Sequence, residues 1–259
     1  MAKKQKPLPT TSGGFAAFME RELDSGGPAW RYGRWELWRG FIAWELAFLQ
    51  EDDLTVADLE AKKPDAVGTW KRWREALHAA TKAAPYDDHL GVAYMLLSMG
   101  QSGWGQYFTP PQIARLMAAI LGGRATLPED GHLERAHEPC CGSGVMVLAS
   151  EAHRQEEGLL PCVWTLIDLD MVCCMMAAIQ CSLNDIPAVV LCVNSLYWGA
   201  PGHELATLVS PRVHVEVGGK ITPLKEVTQN QAGLIERNLE AHALAALEQR
   251  KQLQVERAG

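Results

Sequence analysis

The chain has 259 residues, 47% of them hydrophobic, and carries a formal net charge of -7 with a pI near 5.6. That length can bury a full α/β core with a helical extension, and the acidic balance excludes a long-range basic field as the means of attracting nucleic acid. No apolar run reaches the ~18 residues of a membrane span, and the opening "MAKKQKPLPTTSGG" is basic and then polar rather than signal-like, so a cytoplasmic protein without membrane contact is expected.

Residues 1–14 read as a disordered tail, charged and Pro-containing and ending in Ser-Gly-Gly. From Phe15 to about residue 104 the pattern is helical, with "FAAFMEREL", "RWELWRGFIAWELAFLQ" and "HLGVAYMLLSMG" separated by Gly, Pro and Asp-Asp breaks. In the second of these, Trp35, Trp38, Ile42, Leu46 and Leu49 recur every three or four residues and form one broad apolar face, a core pattern. The segment 61–82 interleaves Lys62, Lys63, Lys71, Arg72, Arg74 and Lys82 with Trp70 and Trp73. Such a stretch can track a phosphate backbone, but Trp70, Trp73 and Leu77 share a helical spacing, and a core-facing helix with a solvated basic face is the favoured reading.

After Pro128 short apolar strands alternate with helices, the signal of a parallel sheet built from βαβ units. Strands are expected at 134–139, 162–168 and 188–193, with helices from Gly144 to about Glu156 and from Met171 to about Asn184. A fourth strand is expected in 205–209, continuing into or pairing with 213–217. A long helix is expected from Pro223 to Val255, where Ile235, Leu239, Ala243 and Leu247 step by four. The expected organisation is thus a tail (1–14), a helical region (15–104), an α/β core (105–220) and a C-terminal helix (221–259).

Within the core, "HEPCCGSG" raises three readings: half a metal site, a redox pair, or a backbone cradle. All seven cysteines lie between Cys140 and Cys192, with no C-x-x-C pair and no histidine at zinc-finger spacing. The vicinal pairs Cys140-Cys141 and Cys173-Cys174 sit among apolar residues, where a thiol behaves as a small hydrophobe, so no metal is expected. The cradle reading is stronger. Gly142-Ser143-Gly144 ends an expected strand and opens an expected helix, whose first N–H groups lack partners and face whatever binds there. At the end of the next strand stands Asp168, where doubly wound folds place a carboxylate for the ribose hydroxyls of a nucleoside cofactor. The competing role of Asp168 and Asp170 is to cap the helix beginning near Met171. There is no G-x-G-x-x-G, which fits a cofactor without a pyrophosphate.

"GQYFTPPQIARLMAAIL" (105–121), "EPCCGSGVMVLA", "IDLD" and "NSL" (194–196), in that order, resemble the cofactor-binding motifs of the adenine-specific DNA methyltransferases related to the modification subunits of type I restriction systems, especially short phage- and plasmid-borne DNA methylases. The resemblance covers roughly residues 100–215. It implies a Rossmann-like class I methyltransferase core with S-adenosyl-L-methionine as cofactor and DNA as partner. Carried over residue by residue, it implies that Tyr107, Phe108, Thr109 and Pro110 lie against the methionine end and sulfonium. It further implies that Glu138, Gly142, Ser143 and Gly144 form the loop under the amino-acid moiety, that Asp168 holds the ribose and that Asn194 meets the adenine edge. Aromatic faces suit a sulfonium, and a backbone nest suits a carboxylate. "QYFTPP" also reads as a helix start, with Thr109 as cap and Pro110 at the first helical position.

One part of the family pattern is missing. Amine-directed enzymes carry Asn-Pro-Pro-Tyr or -Phe after the fourth strand, where a side-chain oxygen and a backbone carbonyl accept the amine hydrogens and the ring stacks on a flipped base. No such tetrapeptide occurs in this sequence. The positional candidate is "SPRV", putting Ser210 and Pro211 beside Asn194 as catalytic residues, with Tyr197 and Trp198 as the nearest aromatics. The sheet is also expected to be truncated beyond its fourth strand, leaving an open edge there for a partner subunit or a second copy, with the last helix either making that contact or packing on its own domain. Three functions follow: a DNA adenine methyltransferase, a catalytically silent relative acting by interaction as a regulatory or anti-restriction component, and a methyltransferase for a non-DNA substrate.

Overall fold

The computed structural model describes residues 7–25, 28–97, 107–198, 200–201, 206–209, 214–217, 220–223 and 226–258. Helices come first: α1 (Ser12–Asp24), α2 (Ala29–Tyr32), α3 (Arg34–Leu49), α4 (Asp53–Lys62), α5 (Pro64–Ala83), α6 (His89–Leu96) and α7 (Pro111–Leu121). The α/β part follows: β1 (Arg135–Glu138), α8 (Val145–Glu156), β2 (Val163–Asp168), α9 (Met171–Leu183) and β3 (Ala188–Cys192). Then come β4 (Ala206–Leu208), β5 (His214–Val217), β6 (Lys220–Pro223), β7 (Glu226–Val227) and α10 (Gln229–Ala258).

The expected tail is partly helical, because the Thr11 hydroxyl accepts the Gly14 N–H at 3.1 Å and starts α1 at Ser12. The tryptophan face of α3 and the interleaved tryptophans of α5 are core. Trp38, Trp44, Trp70 and Trp73 are fully buried, while Lys71 and Arg72 stay exposed. Phe41 meets Trp73 edge-on at 5.4 Å between centroids, a geometry that adds to plain area burial. One apolar cluster runs without a break from these helices through α9 to the face of the sheet carrying Trp164, Leu166 and Val190.

The five-stranded sheet has the order β1-β2-β3-β4-β7. β1, β2 and β3 are parallel, joined by α8 and α9 as the βαβ reading expects, with Arg135 opposite Val163 and Asp168 opposite Cys192. β4 departs from that expectation: it runs antiparallel to β3, with Leu191 opposite Leu208. A parallel return takes a crossover of about a dozen residues, usually helical, and the described part of 193–205 contains turns and no helix. The stretch 214–217 does not pair with the fourth strand either; β5 and β6 form a separate two-stranded sheet, and β7 pairs with β4 instead.

The last helix begins at Gln229, not at Pro223, which closes β6. Its start is a reciprocal cap: the Thr228 hydroxyl accepts the Gln231 N–H at 3.3 Å, and the Gln231 side chain accepts the Thr228 N–H at 2.9 Å. α10 covers the second face of the sheet on its own domain, packing Ala232 and Ile235 against Ile167, Val189 and Leu191. α7 lies on α8 through the buried Ala114 and Ala118 and leaves Ile113, Leu116, Met117 and Ile120 exposed. No described helix is long and apolar enough to cross a membrane.

Candidate functional site

The glycine loop lies between the C-terminal end of β1 and the start of α8. The Cys141 N–H donates to the Ile167 carbonyl at 2.9 Å, extending the β1–β2 ladder into the turn, and the Gly144 N–H closes it on the Cys141 carbonyl at 2.8 Å. Gly142 and Gly144 have φ of +52° and +95°, a region that costs an L side chain but not glycine. Gly144 is the N-cap of α8, and among the described residues no side chain caps that end. The first-turn N–H groups of such a helix are available to an anion.

Asp168, at the end of β2, turns into this loop. Its Oδ2 accepts the Gly142 N–H at 2.9 Å and its Oδ1 accepts the Asp170 N–H at 2.9 Å. The helix cap expected of Asp168 or Asp170 belongs to Asp170, whose Oδ1 accepts the Val172 N–H at 2.7 Å. Glu138 accepts the Cys140 N–H at 3.3 Å, bracing the turn on its other side. The Ser143 hydroxyl points away from the opening: it is fully buried and donates to Asp88 Oδ2 at 2.8 Å, so Ser143 contributes its backbone to the loop surface.

The aromatic wall is Phe108. Its ring carbons come within 3.2 Å of the place a Cβ on Gly142 would occupy, and it stacks on Tyr94 with centroids 5.1 Å apart and planes at 27°. Tyr107 is 84% exposed beside it. The helix start falls one residue later than expected: Pro110 is the N-cap and Pro111 the first helical residue of α7, and Thr109 makes no cap. Asn194 follows Val193, whose N–H donates to the Asp168 carbonyl at 3.0 Å. This puts Asn194 at the same end of the sheet as the loop, where its Oδ1 accepts the Leu196 N–H at 3.1 Å. Tyr197 and Trp198 complete that turn, each donating its N–H to the Asn194 carbonyl. Ser210 and Pro211 lie outside the described residues.

The cysteines near the loop are free, and all but Cys140 and Cys192 are buried. Burial pushes the Cys162 and Cys181 thiols up to about 12, the behaviour of packing residues rather than of reactive thiolates.

Two residues absent from the sequence reading support the loop from beneath, Asp88 and Gln180. Gln180 Nε2 donates both to Asp88 Oδ1 and to the Ser143 carbonyl, each at 2.8 Å. The only sequence signal was an Asp ahead of "HLG", which is a helix cap pattern: the Gly91 N–H donates to Asp88 Oδ1 at 2.9 Å.

A glycine turn after the first of three parallel strands, an acid at the end of the second and helices on both faces make a mixed α/β architecture, consistent with a methyltransferase-like fold. More narrowly, residues 87–191 match the family described as N-6 DNA Methylase, and over this segment the chain carries that family's sequence pattern. Among solved structures, the chain is similar to the type I restriction-modification system methyltransferase subunit from Streptococcus thermophilus, with 22% identity and a TM-score of 0.33. That match covers 67% of this chain and 36% of the other, so the chain spans about a third of its length. No curated protein matches the chain.

Proposed function

We propose that this chain binds S-adenosyl-L-methionine in the glycine loop and serves DNA methylation, transferring a methyl group to the exocyclic amine of adenine. The observation that carries the reading is the juxtaposition of Asp168 with the Gly142–Gly144 turn, inside a segment that matches the N-6 DNA methylases. The residues present fit the cofactor. Each Asp168 oxygen accepts one N–H and keeps a further lone pair for a ribose hydroxyl. The free start of α8 suits the amino-acid carboxylate, and the Phe108 face suits the sulfonium.

Bound S-adenosylmethionine supplies an electrophilic methyl group, and what the chain must add is alignment with the acceptor nitrogen. Asn194, at the loop end of the sheet, is assigned the role of accepting a hydrogen from that amine, together with Ser210 and Pro211. DNA is therefore the proposed partner. A companion subunit or second copy is also proposed at the edge beyond the fourth strand, where among the described residues only the two-residue β7 lies outside β4.

A second reading, a silent relative acting by interaction, is favoured by one observation: the sequence lacks Asn-Pro-Pro-Tyr or -Phe. The deciding experiment is incubation with labelled S-adenosylmethionine and adenine-containing DNA, reading N6-methyladenine by mass spectrometry. Transfer that Asn194→Ala and Ser210→Ala each abolish, with the variants still folded, supports the enzyme. Cofactor binding without transfer to any DNA supports the interaction protein.

A further inference from the structure

The glycine loop is held from beneath by a side chain that lies outside the loop, the strand-end acid and the aromatic segment. Asp88 is 4% exposed, and every described hydrogen bond to its carboxylate comes from a neutral donor: the Ser143 hydroxyl, the Gln180 amide and the Gly91 N–H. Gln180, itself buried, ties the same corner together, donating to the Ser143 carbonyl and accepting the Leu90 N–H at 3.1 Å. The space is closed as well: a Cβ on Gly91 would stand 2.1 Å from Asp88 Oδ2 and 2.3 Å from Ser143 Oγ. α6 therefore reaches the loop twice, through Asp88 to Ser143 and through Tyr94 to Phe108, which lies on Gly142.

A buried carboxylate without a cation costs stability unless its hydrogen bonds are complete. A plain cap for α6 would be met as well by a solvated Asp, Ser or Asn. The full burial of Asp88 on the one side chain of the glycine turn calls for a different account.

We propose that Asp88 is the positioning residue of the cofactor loop, its carboxylate fixing Ser143 so that the Gly142–Gly144 backbone keeps the shape that receives the amino-acid end of the cofactor. The proposal rests on the cofactor-binding reading for the ligand, but the tether itself is a property of the ligand-free chain. Asp88 touches no cofactor atom in this account; it acts through Ser143, while Gln180 braces both.

The test combines two measurements on the full chain and on Asp88→Asn, Ser143→Ala and the double variant. The first is amide hydrogen exchange of the peptide covering 139–146 without ligand, with thermal unfolding recorded in parallel. The second is calorimetric titration with S-adenosylmethionine. In Asp88→Asn, loop exchange at least tenfold faster and an affinity at least tenfold weaker are expected, with unfolding still cooperative. The double variant should bind no worse than Asp88→Asn alone, because both changes cut one link.

A folded Asp88→Asn with wild-type loop exchange, or with affinity within twofold of wild type, overturns the proposal. So does strict additivity in the double variant. If Asp88→Asn does not fold, Ser143→Ala carries the test alone, since it removes only the hydroxyl that Asp88 holds; unchanged loop exchange there overturns the tether. If the unaltered chain does not bind the cofactor, the ligand reading fails, and the exchange measurement still decides the tether.

Discussion

The two faces of the sheet are held by different physics. On the face toward α3, α8 and α9 the core is large and apolar, built around Trp38, Trp44, Trp70 and Trp73; of its buried acids, Glu45 pairs with Arg74 and Glu151 with Arg154, while Asp88, beneath the glycine loop, is satisfied by neutral donors. On the face toward α10 the apolar cluster is small, and the contact is finished by charges. Arg135 on β1 donates to Glu240 at 2.9 Å and lies 3.5 Å from Glu236, and Glu240 also accepts the Leu133 N–H at 2.7 Å. The glycine loop is thus set by packing and directional hydrogen bonds, while the helix over its strand is fastened by ion pairs. The first gives a fixed geometry; the second gives an attachment sensitive to salt and pH.

The largest expected break is Phe41→Ala. Phe41 is fully buried in the tryptophan cluster, and its loss should cost about 3 to 5 kcal/mol of unfolding free energy by denaturant titration. Glu240→Ala, which leaves Arg135 and the Leu133 N–H without their main partner, should cost about 1.5 to 3 kcal/mol. Its effect should shrink at high salt, whereas that of Phe41→Ala should not.

Asp88 and Glu240 should titrate in opposite senses. Burial raises the Asp88 carboxyl above 3.8, and the hydrogen bonds from Gln180, Ser143 and Gly91 offset only part of this. Its contribution to stability is therefore full below 3.8 and is lost as pH rises through the raised folded value. Burial also acts to raise Glu240, but Arg135, the Leu133 N–H and His132 outweigh it and bring the carboxyl below 4.5. Its contribution is present above 4.5 and is lost as pH falls through the lowered value. Unfolding free energies of the unaltered chain minus Asp88→Asn, and minus Glu240→Gln, should slope oppositely with pH; parallel slopes would remove the contrast between the faces. Smallest of all, Lys62→Ala breaks the exposed pair with Asp58 and should change stability by less than about 0.5 kcal/mol.

Much of this arrangement was legible in the sequence where one physical rule dominates. The βαβ stretch from β1 to β3 read correctly to within about two residues, because β2 and β3, buried on both faces, give short apolar runs and the glycine turn separates the half-exposed β1 from its helix. The direction of β4 was not legible. Apolar strand composition carries no direction, and the reversal goes with the connection 193–205, whose described residues form no helix. The start of α10 was misplaced although "TQNQ" carries the Thr-x-x-Gln capping pattern, because the apolar spacing alone was followed upstream. At the candidate site, the meeting of Asp168 with the Gly142 N–H follows from their positions at the ends of adjacent parallel strands, which the chain order makes legible. Asp88 and Gln180 were not legible, because they meet Ser143 only through tertiary packing, 55 and 37 residues away in sequence.

The central claim is that the Gly142–Gly144 turn and Asp168 together hold a nucleoside cofactor. Calorimetric titration with S-adenosylmethionine and S-adenosylhomocysteine, on the unaltered chain and on Asp168→Ala, tests it most directly. The account predicts binding of both ligands and a loss of about 1.5 to 3 kcal/mol in the variant, the worth of hydrogen bonds to a charged group. Equal affinity in the two proteins, or no binding at millimolar ligand, would contradict it.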